Sequence, residues 1–593
     1  MKIPRTSLHR SLVASPSSLL SRARAFLPSA AAILMLLLST ASSSYAGSAT
    51  WLASPATGDW NTAGNWTAGG PPNGSTDTAT FESSNIIGVS LSLNTEVNGI
   101  VFNAGASAFT ITASPMFVLT ISGVGITNNS GITQNFVIAV DSDTGTVGQI
   151  IFANSATAGS LTAFNNVGSM SFFGSSTAAN GTFTNNGGSA GFAFGASMAF
   201  NETSTAGNGT FTNDGGAVSG ATGGGIQFFD SSTAGNGTFT INGAPVSGAG
   251  FGGVFFVHSY IAGTPTAGDG IFTINGSAVS GEFTGGEVGF GESSTAGNAT
   301  LIANGGADFF PPFRGAGGLI FFAGGSTGGT ARVEVFGNGV LDISQDTFAT
   351  VTIGSIEGSG LVFLGGNGSF GATNLTVGNN NLSTTFSGKI QDGGNGGGTG
   401  GGSLTKIGRG KLTLSKASTY TGGTTVSNGT LLVTNRTGSA TGTGAVQVNK
   451  GTLGGLGIIT GAVTVGTGHS SGAIVLAGKS ATAPGILTIN SALTFTSRST
   501  YQCVLNRRTP IAGEITALGV TINSGASFTF VDVGTGTLTV GTVFTVINNT
   551  SANPIFGTFS NLSDGSVFTS NGNNFQASYE GGNGNDLTLT VVP

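Results

Sequence analysis

Charge, histidine and cysteine are all scarce in this sequence. Only 7% of its 593 residues are Asp, Glu, Lys or Arg, compared with about 25% in an average protein. Cys503 is the one cysteine, so no intramolecular disulfide can form, and the alternating stretch around it favours a buried, inert thiol. Beyond residue 46 there are two histidines, His258 and His469. Two histidines are too few for a multi-histidine metal site and make a His-centred catalytic triad improbable.

Residues 1–46 have the composition of an export signal. Five basic residues and no acidic one precede an apolar run at residues 30–38, and Ser44-Tyr45-Ala46 forms a small-residue cleavage site before Gly47. The apolar run is much shorter than the roughly 20 residues needed to span a bilayer. We therefore expect the export machinery as a partner, cleavage before Gly47, and a mature chain that keeps no transmembrane segment.

The mature chain is acidic overall. Removing residues 1–46 removes five of the 18 basic residues and none of the 24 acidic ones, which leaves a net charge of −11. Nucleic-acid binding needs a basic footprint, so this balance argues against nucleic acid as a partner.

A repeated phrase dominates the middle of the chain. Residues 231–240 contain Ser-Ser-Thr-Ala-Gly-Asn-Gly-Thr-Phe-Thr, and close variants recur at steps of 20 to 33 residues. Such a phrase indicates a stack of similar units, in which each unit buries its apolar side against its neighbours. The threonine that begins the Thr-Ala or Thr-Gly pair lies at Thr157, Thr177, Thr205, Thr233, Thr266, Thr295 and Thr327.

Each unit has a Phe-centred segment before this turn and a Thr-Phe-Thr segment after it. Side chains alternate along a strand, so the Phe of Thr-Phe-Thr is predicted to point inward and both Thr outward. Stacked coils would then place Phe on Phe along the axis and Asn on Asn at the corners. With 105 Gly and 42 Phe in the chain, we predict an all-β fold, a parallel β-helix or β-solenoid with tight corners and a long core.

Composition and repeats divide the chain into six segments. Trp51, Trp60 and Trp66 stand beside turn residues, where large rings can cover the open end of a stack; rings that stack on sugars are the alternative. The Gly-rich stretch 392–403 is a flexible linker or a long loop. The expected segments are 1–46 (signal peptide), 47–125 (Trp-containing cap and first coils), 126–345 (Phe/Thr/Asn/Gly repeat array), 346–402 (further coils and the Gly-rich linker or loop), 403–470 (a second type of repeat) and 471–593 (C-terminal β coils and cap).

The second type of repeat carries a family resemblance. Its residues 404–414 read Leu-x-Lys-x-Gly-x-Gly-x-Leu-x-Leu, followed by Tyr-Thr-Gly-Gly-Thr-Thr at 420–425 and Gly-Thr-Leu-Leu-Val at 429–433. Over about 30 residues this resembles the autotransporter-associated β-strand repeat of bacterial surface and secreted proteins. The resemblance implies a right-handed parallel β-helix passenger outside the cell and brings no catalytic residues. A complete autotransporter ends in a membrane barrel; none is recognised before Pro593, so we expect a passenger-like chain without one.

Three groups of residues are candidates for chemistry. The Glu282–Glu292 stretch is the best group of carboxylates for a polysaccharide-cleaving pair, although a solvated loop is the stronger interpretation. Residues 581–586 read Gly-Gly-Asn-Gly-Asn-Asp, which resembles one calcium-binding turn, but a shared calcium site needs adjacent copies. Outward Thr rows such as Thr537-x-Thr539 could present a regular surface to glycans or ice.

The leading hypothesis is a secreted or cell-surface β-helical structural protein, with adhesion as one open role. We expect no catalytic residues, no cofactor and no metal, with surface glycans or other cell-surface proteins as partners. A β-helical carbohydrate-active enzyme and a glycan-binding module are the alternatives. The export signal, the repeats and the low charge are the reasons for ranking a structural protein above these two alternatives.

Overall fold

The structure is a computed structural model. It describes residues 47–67, 70–191, 193–257, 263–279, 284–307, 316–365, 371–398 and 400–593. The predicted signal peptide therefore lies outside the described residues. Regular structure in the described part is β-strand apart from a 3-10 turn at Ala63–Asn65. No helix in these ranges has the length and apolar character needed to cross a membrane.

The strands are short and follow one another along the whole described chain. In the first part they are β1 Ala49–Thr50, β2 Gly74–Phe81, β3 Gly88–Ser90, β4 Thr95–Phe102, β5 Thr110–Ala113, β6 Val118–Asn128, β7 Gln134–Ile138, β8 Gln149–Phe152, β9 Ser160–Asn166, β10 Ser169–Phe172, β11 Asn180–Asn185, β12 Ser197–Phe200, β13 Thr210–Asn213, β14 Gly225–Phe228, β15 Thr238–Ile241, β16 Gly253–Phe256, β17 Ile271–Ile274, β18 Glu287–Phe290, β19 Thr300–Ala303, β20 Leu319–Ala323, β21 Arg332–Val335 and β22 Val340–Gln345. In the second part they are β23 Thr350–Ile353, β24 Ser355–Gly358, β25 Leu361–Phe363, β26 Asn374–Val377, β27 Thr384–Phe386, β28 Lys389–Gln391, β29 Ser403–Lys406, β30 Lys411–Leu414, β31 Thr424–Val426, β32 Thr430–Val433, β33 Val446–Val448, β34 Gly451–Gly455, β35 Ile458–Ile459, β36 Val463–Val465, β37 Ala473–Ser480, β38 Ala483–Pro484, β39 Ile486–Ile489, β40 Leu493–Phe495, β41 Thr500–Asn506, β42 Ile511–Ala512, β43 Glu514–Ala517, β44 Val520–Ile522, β45 Ser527–Val533, β46 Val543–Asn549, β47 Val567–Ser570, β48 Asn573–Gly581 and β49 Asp586–Val592.

These strands form four long sheets, in which almost all pairings are parallel. The first sheet has the order β1-β2-β4-β6-β8-β10-β12-β14-β16-β18-β20-β22-β25-β28. The second pairs β3, β5, β7, β9, β11, β13, β15, β17, β19, β21, β24, β27, β30, β32, β34, β37, β41 and β45 in that order. The third has the order β23-β26-β29-β31-β33-β36-β40-β44, and the fourth β35-β39-β43-β46-β49-β48-β47. The predicted all-β parallel solenoid is confirmed.

One coil of the repeat array visits three walls. Residues 197–200 form a strand of the first sheet, Thr205 lies in the turn, and residues 210–213 form a strand of the second sheet. Thr205 makes parallel bridges with Thr177 and Thr233 in the neighbouring coils. The turn is therefore a third wall, one residue wide, and the predicted repeat period corresponds to one coil.

Phe side chains fill the core of the array in two columns. Neighbouring rings in the first-sheet column have centroids 4.6–4.9 Å apart, and those in the second-sheet column 4.5–4.9 Å apart. Rings from the two columns meet edge to face at 5.9–6.1 Å. The predicted stacking of Phe on Phe is confirmed. The columns consist of Phe152, Phe172, Phe200, Phe228, Phe256, Phe290 and Phe322, and of Phe136, Phe164, Phe183, Phe211, Phe239 and Phe272.

Asparagines continue the same stacking at the end of the second-sheet strands. The buried Asn166 amide donates to Asn185 Oδ1 at 2.9 Å, and the Asn185 amide donates to Asn213 Oδ1 at 2.8 Å. The Asn213 amide ends this ladder on the carbonyl of Gly253 at 2.8 Å. An amide has both donors and an acceptor, so a column of identical Asn residues satisfies itself inside the core. The predicted stacking of Asn on Asn is confirmed here.

The turn motif is explained by a small hydrogen-bonded loop. Thr205 Oγ1 accepts the backbone N–H of Gly207 at 3.0 Å, and Ala206 between them is fully buried. Gly207 has φ +60, and a Cβ there would lie 2.9 Å from the carbonyl oxygen of Ala179 in the preceding coil. Glycine fits this position because it combines a left-handed backbone with a close approach between coils.

The Gly-rich stretch 392–403 joins two coils of the same stack. β26 before it pairs directly with β29 after it, with Leu375 opposite Leu404. Within the stretch, the Asn395 N–H donates to the Asp342 carboxylate at 3.0 Å and the Gly396 N–H to Ser344 Oγ at 2.8 Å. This segment is therefore a loop that packs on an earlier coil. From β23 onward the third wall is a full sheet, and β46–β49 add the antiparallel pairs of the fourth sheet.

The Phe columns predict where the array is most sensitive to substitution. We expect Phe211→Ala to lower the free energy of unfolding by about 3–5 kcal/mol, because it removes a fully enclosed ring. Thr210→Ala, one residue away on the exposed side of the same strand, should change it by less than about 0.5 kcal/mol. Urea unfolding followed by circular dichroism measures both, and equal effects would contradict the assignment of Phe211 to the core.

Candidate functional site

The residue types that carry most enzyme chemistry lie apart in this fold. Cys503 is fully buried, and burial raises the pKa of its thiol to about 12, so the thiolate nucleophile is suppressed. His469 is exposed in a turn. His258 lies outside the described residues. Within the described ranges, no three His, Cys, Asp or Glu side chains group as ligands for a metal ion.

The carboxylates of the Glu282–Glu292 stretch occupy different parts of a coil. Glu282 lies outside the described residues. Glu287 begins strand β18 and is buried, whereas Glu292 is exposed in the turn after that strand, with φ +50. Glu202 and Asp230 hold the same turn position in earlier coils, and Asp230 Oδ2 accepts the Glu202 N–H at 2.9 Å. The carboxylates of Glu202 and Asp230 thus each accept a backbone N–H from the preceding coil.

The calcium-like sequence at 581–586 forms a different structure from a calcium-binding coil. Gly581 pairs with Asp586 across the antiparallel hairpin of β48 and β49. Asp586 Oδ1 accepts the backbone N–H of Asn549 at 2.8 Å. The carboxylate thus ties the hairpin to β46, and no second parallel turn stacks on this one among the described residues. This sequence forms the turn of the β48–β49 hairpin in the fourth sheet.

The three tryptophans form one buried cluster at the start of the solenoid. Their exposed fractions are 2%, 0% and 4%, and all three rings pack on Phe81 at 5.5–6.1 Å. Each indole N–H donates to a backbone carbonyl: Trp51 to Ile86, Trp60 to Pro72 and Trp66 to Trp60. Rings enclosed in this way offer no free surface to a sugar.

A regular threonine surface exists, but in a different place from the predicted one. Thr537 and Thr539 lie outside the strands, because Gly534 and Gly536 with positive φ turn the chain away from the sheet, so their assignment to an outward row is wrong. The Thr-Phe-Thr segments form two columns in register on the outside of the second sheet, about 4.8 Å apart from strand to strand. We call this surface the Thr face; it consists of Thr182, Thr184, Thr210, Thr212, Thr238 and Thr240.

An amide ladder borders the Thr face. The side chain of Asn208 donates to Asn180 Oδ1 and that of Asn236 donates to Asn208 Oδ1, both at 3.1 Å. The Thr face itself is flat, polar and uncharged. Such a surface offers hydroxyl groups at a regular interval and no group able to act as a nucleophile or a general base at neutral pH.

The second type of repeat places a lysine inside the solenoid. Lys406 is 1% exposed, and its ammonium donates to the backbone carbonyls of Ile407, Gly408 and Asn428. Gly408 has φ +68, and a Cβ at Gly429 would lie 2.9 Å from the Lys406 Nζ. The Lys406 ammonium binds carbonyl groups of two adjacent turns, and a side chain at Gly429 would collide with it. The motif therefore needs the lysine and this glycine together. This burial is not apparent from the sequence.

The rest of that motif is also internal. Tyr420 is fully buried, and its hydroxyl shares a 2.6 Å hydrogen bond with Thr424 Oγ1, which also bonds to the carbonyl of Thr441 at 3.2 Å. Leu412, Leu414 and Leu431 point into the core. The motif therefore specifies one coil and its contacts with the next coil.

Known proteins contain a repeat similar to this coil. Residues 404–433 match the family model of the passenger-associated transport repeat. This match confirms, for residues 404–433, the resemblance to an autotransporter-passenger repeat that the motif indicated. No relative is found among curated protein sequences. The crystal structure of the Haemophilus influenzae Hap adhesin aligns with 11% identity and a TM-score of 0.28, covering 87% of this chain and 64% of that one. The chain thus spans less than two thirds of that adhesin.

The buried lysine predicts an unusual pH dependence. Burial lowers the pKa of Lys406 to about 8 from its usual 10.5, so between these values the unfolded chain binds a proton that the folded chain has released. We expect the stability of the native protein to rise with pH across this window, relative to Lys406→Met, by up to about 3 kcal/mol.

Urea unfolding of both proteins at pH 7.5, 9 and 10.5 measures this difference. The shared tyrosines and carboxylates cancel in the comparison, because both proteins carry them. A stability difference that stays constant over these pH values would show that Lys406 keeps its ordinary pKa in the folded state.

Proposed function

We propose that this chain is an exported bacterial structural protein, displayed at the cell surface or released, with adhesion as its use and without catalytic activity. The observation that supports this most strongly is the uninterrupted solenoid combined with the passenger-associated repeat at residues 404–433. A stack of coils is an extended scaffold whose outer faces repeat along the axis. The predicted signal at residues 1–46 supports export.

The first test is the location of the protein in its native host. We expect brief protease treatment of intact cells, followed by mass spectrometry, to release peptides from residues 126–345 into the shaved or medium fraction. We also expect the mature protein to begin at Gly47, as measured by N-terminal sequencing. A periplasmic protein of known location is the control for cell lysis. Protection of the array peptides, with intact protein in the periplasm, would contradict surface display.

A glycan-binding module is the second candidate, and the Thr face supports it. Its flat rows of hydroxyls are bordered by amides that can bond to sugar hydroxyls. We expect Thr212→Lys with Thr240→Lys, on neighbouring strands of this face, to reduce retention on insoluble neutral polysaccharides at least fivefold. The matched control is Thr352→Lys with Thr376→Lys, since these two threonines are paired in the same way on the third sheet. Equal retention of the native protein and both double variants would remove the Thr face from consideration.

A further inference from the structure

Charge is strongly segregated along the solenoid. Residues 404–513 contain ten basic residues and no acidic one. Residues 47–403 contain 19 acidic and three basic residues, and residues 514–593 contain five acidic residues and no basic one. The net charge of −11 for the mature chain therefore conceals a basic segment, residues 404–513, that lies between two acidic regions. We call this segment the belt. Such segregation points to a charged partner for the belt.

Eight of the ten basic side chains in the belt are exposed. Lys406 is the buried lysine described above, and Arg507 forms a 2.5 Å ion pair with Asp532. In the part of the chain that the structure describes, the other eight make no ion pair. Their charges are therefore free to meet an external anion. They are Arg409, Lys411, Lys416, Arg436, Lys450, Lys479, Arg498 and Arg508.

These eight side chains border five consecutive strands of the second sheet, β30, β32, β34, β37 and β41. Four of them lie at the beginning of a strand or in the turn before it, and four lie at the end of a strand or just after it. We call this surface the basic face. Its leading edge consists of Arg409, Lys411, Lys450 and Arg498, and its trailing edge of Lys416, Arg436, Lys479 and Arg508.

The leading edge is a regular row. Arg409 precedes β30, Lys450 precedes β34 and Arg498 precedes β41, so the three cations recur every second coil. With coils about 4.8 Å apart, they are spaced by about 10 Å along the axis. The turns stack directly, since the Gly451 N–H donates to the Gly472 carbonyl at 2.7 Å and Arg498 Nη1 to the His469 carbonyl at 3.2 Å. His469 lies in the turn of the coil between Lys450 and Arg498.

The spacing and the composition of this row select the kind of anion. Nucleic acid carries one charge per about 1.7 Å of duplex and is held on aromatic platforms when single-stranded. The described residues of the belt have no exposed Phe, Tyr or Trp ring, since Tyr420, Phe495 and Tyr501 are all buried. An interfacial membrane site would use exposed aromatic or large apolar anchors beside its cations. The exposed large apolar residues of the belt, Leu456, Ile486 and Ile511, lie beyond the ends of β34, β37 and β41, away from the leading edge. A polysaccharide with one acidic group in each disaccharide has a charge density closer to that of the row.

We propose that the leading edge of the basic face binds an extended acidic polysaccharide, which runs parallel to the solenoid axis with its carboxylates on Arg409, Lys450 and Arg498. The proposal rests on the proposed surface role, because only an exported chain meets such polymers. The acidic regions on either side of the belt repel the same polymer and confine it to these coils.

The test uses the purified mature chain and hyaluronate, which carries one carboxylate per disaccharide, in an immobilised-ligand binding assay. We expect binding at 50 mM NaCl that weakens at least tenfold at 500 mM NaCl, because salt screens the ion pairs. The triple variant R409Q/K450Q/R498Q should bind at least tenfold more weakly. The matched control K416Q/R436Q/R508Q removes the same charge from the trailing edge and should lose less than threefold. Circular dichroism and thermal unfolding establish that both variants are folded.

Each other outcome overturns the proposal. Equal losses in the two triple variants would mean a diffuse electrostatic attraction, and retention on neutral dextran would mean that charge is not the determinant. Tighter binding to single-stranded DNA or to phosphatidylglycerol vesicles would assign the face to another class of partner. Salt-sensitive self-association, lost in R409Q/K450Q/R498Q, would assign it to the acidic surface of a second copy. Surface display without hyaluronate binding would refute this inference while leaving the proposed function intact.

Discussion

Every other feature of this structure depends on the in-register stacking of like residues between coils. One parallel pairing places Phe183 on Phe211, and the same register places Thr182 on Thr210 and Asn185 on Asn213. A single register therefore satisfies the apolar core, the outer surface and the buried amides at once. A slip by one residue would move each Phe to the outside and each Thr to the inside, so register is strongly specified. The sequence can be this repetitive because repetition and register reinforce one another.

The predictable part of the fold is the part that repeats. The alternation of Thr-Phe-Thr and the recurring Asn predicted the columns that the structure contains, and the motif at residues 404–433 predicted its coil. The position of the third wall could not be assigned from the sequence, because a bridge of one residue, such as Thr205, has no alternation to detect. The burial of Lys406 was missed because lysine is rarely internal, and its partners are carbonyls that leave no trace in the sequence. Thr537 and Thr539 had the right residue types but lie beyond the strand that would have aligned them.

The two candidate surfaces also differ in how far the sequence predicts them, because one is built from repeated residues and the other is not. The Thr face is built by identical residues, so it could be deduced once the strands were in register. The basic face is built by different residues at the edges of unlike coils, Arg409, Lys450 and Arg498 among them. Only the three-dimensional stack brings these positions into a row. A charge summed over the whole chain conceals such a row, because the acidic coils outnumber the basic ones. Electrostatics in a solenoid is therefore a property of position along the axis.

The near-identity of neighbouring coils also has a genetic consequence. The turns at Thr177, Thr205 and Thr233 are separated by the same 28 residues, and each coil contacts chiefly the coils on either side. Unequal exchange between the corresponding stretches of the gene would delete or duplicate whole coils and keep the reading frame. The tryptophan cluster and the antiparallel strands β46–β49 lie outside these coils and would keep their own contacts. The fold therefore tolerates changes in length best when they come in steps of one whole coil.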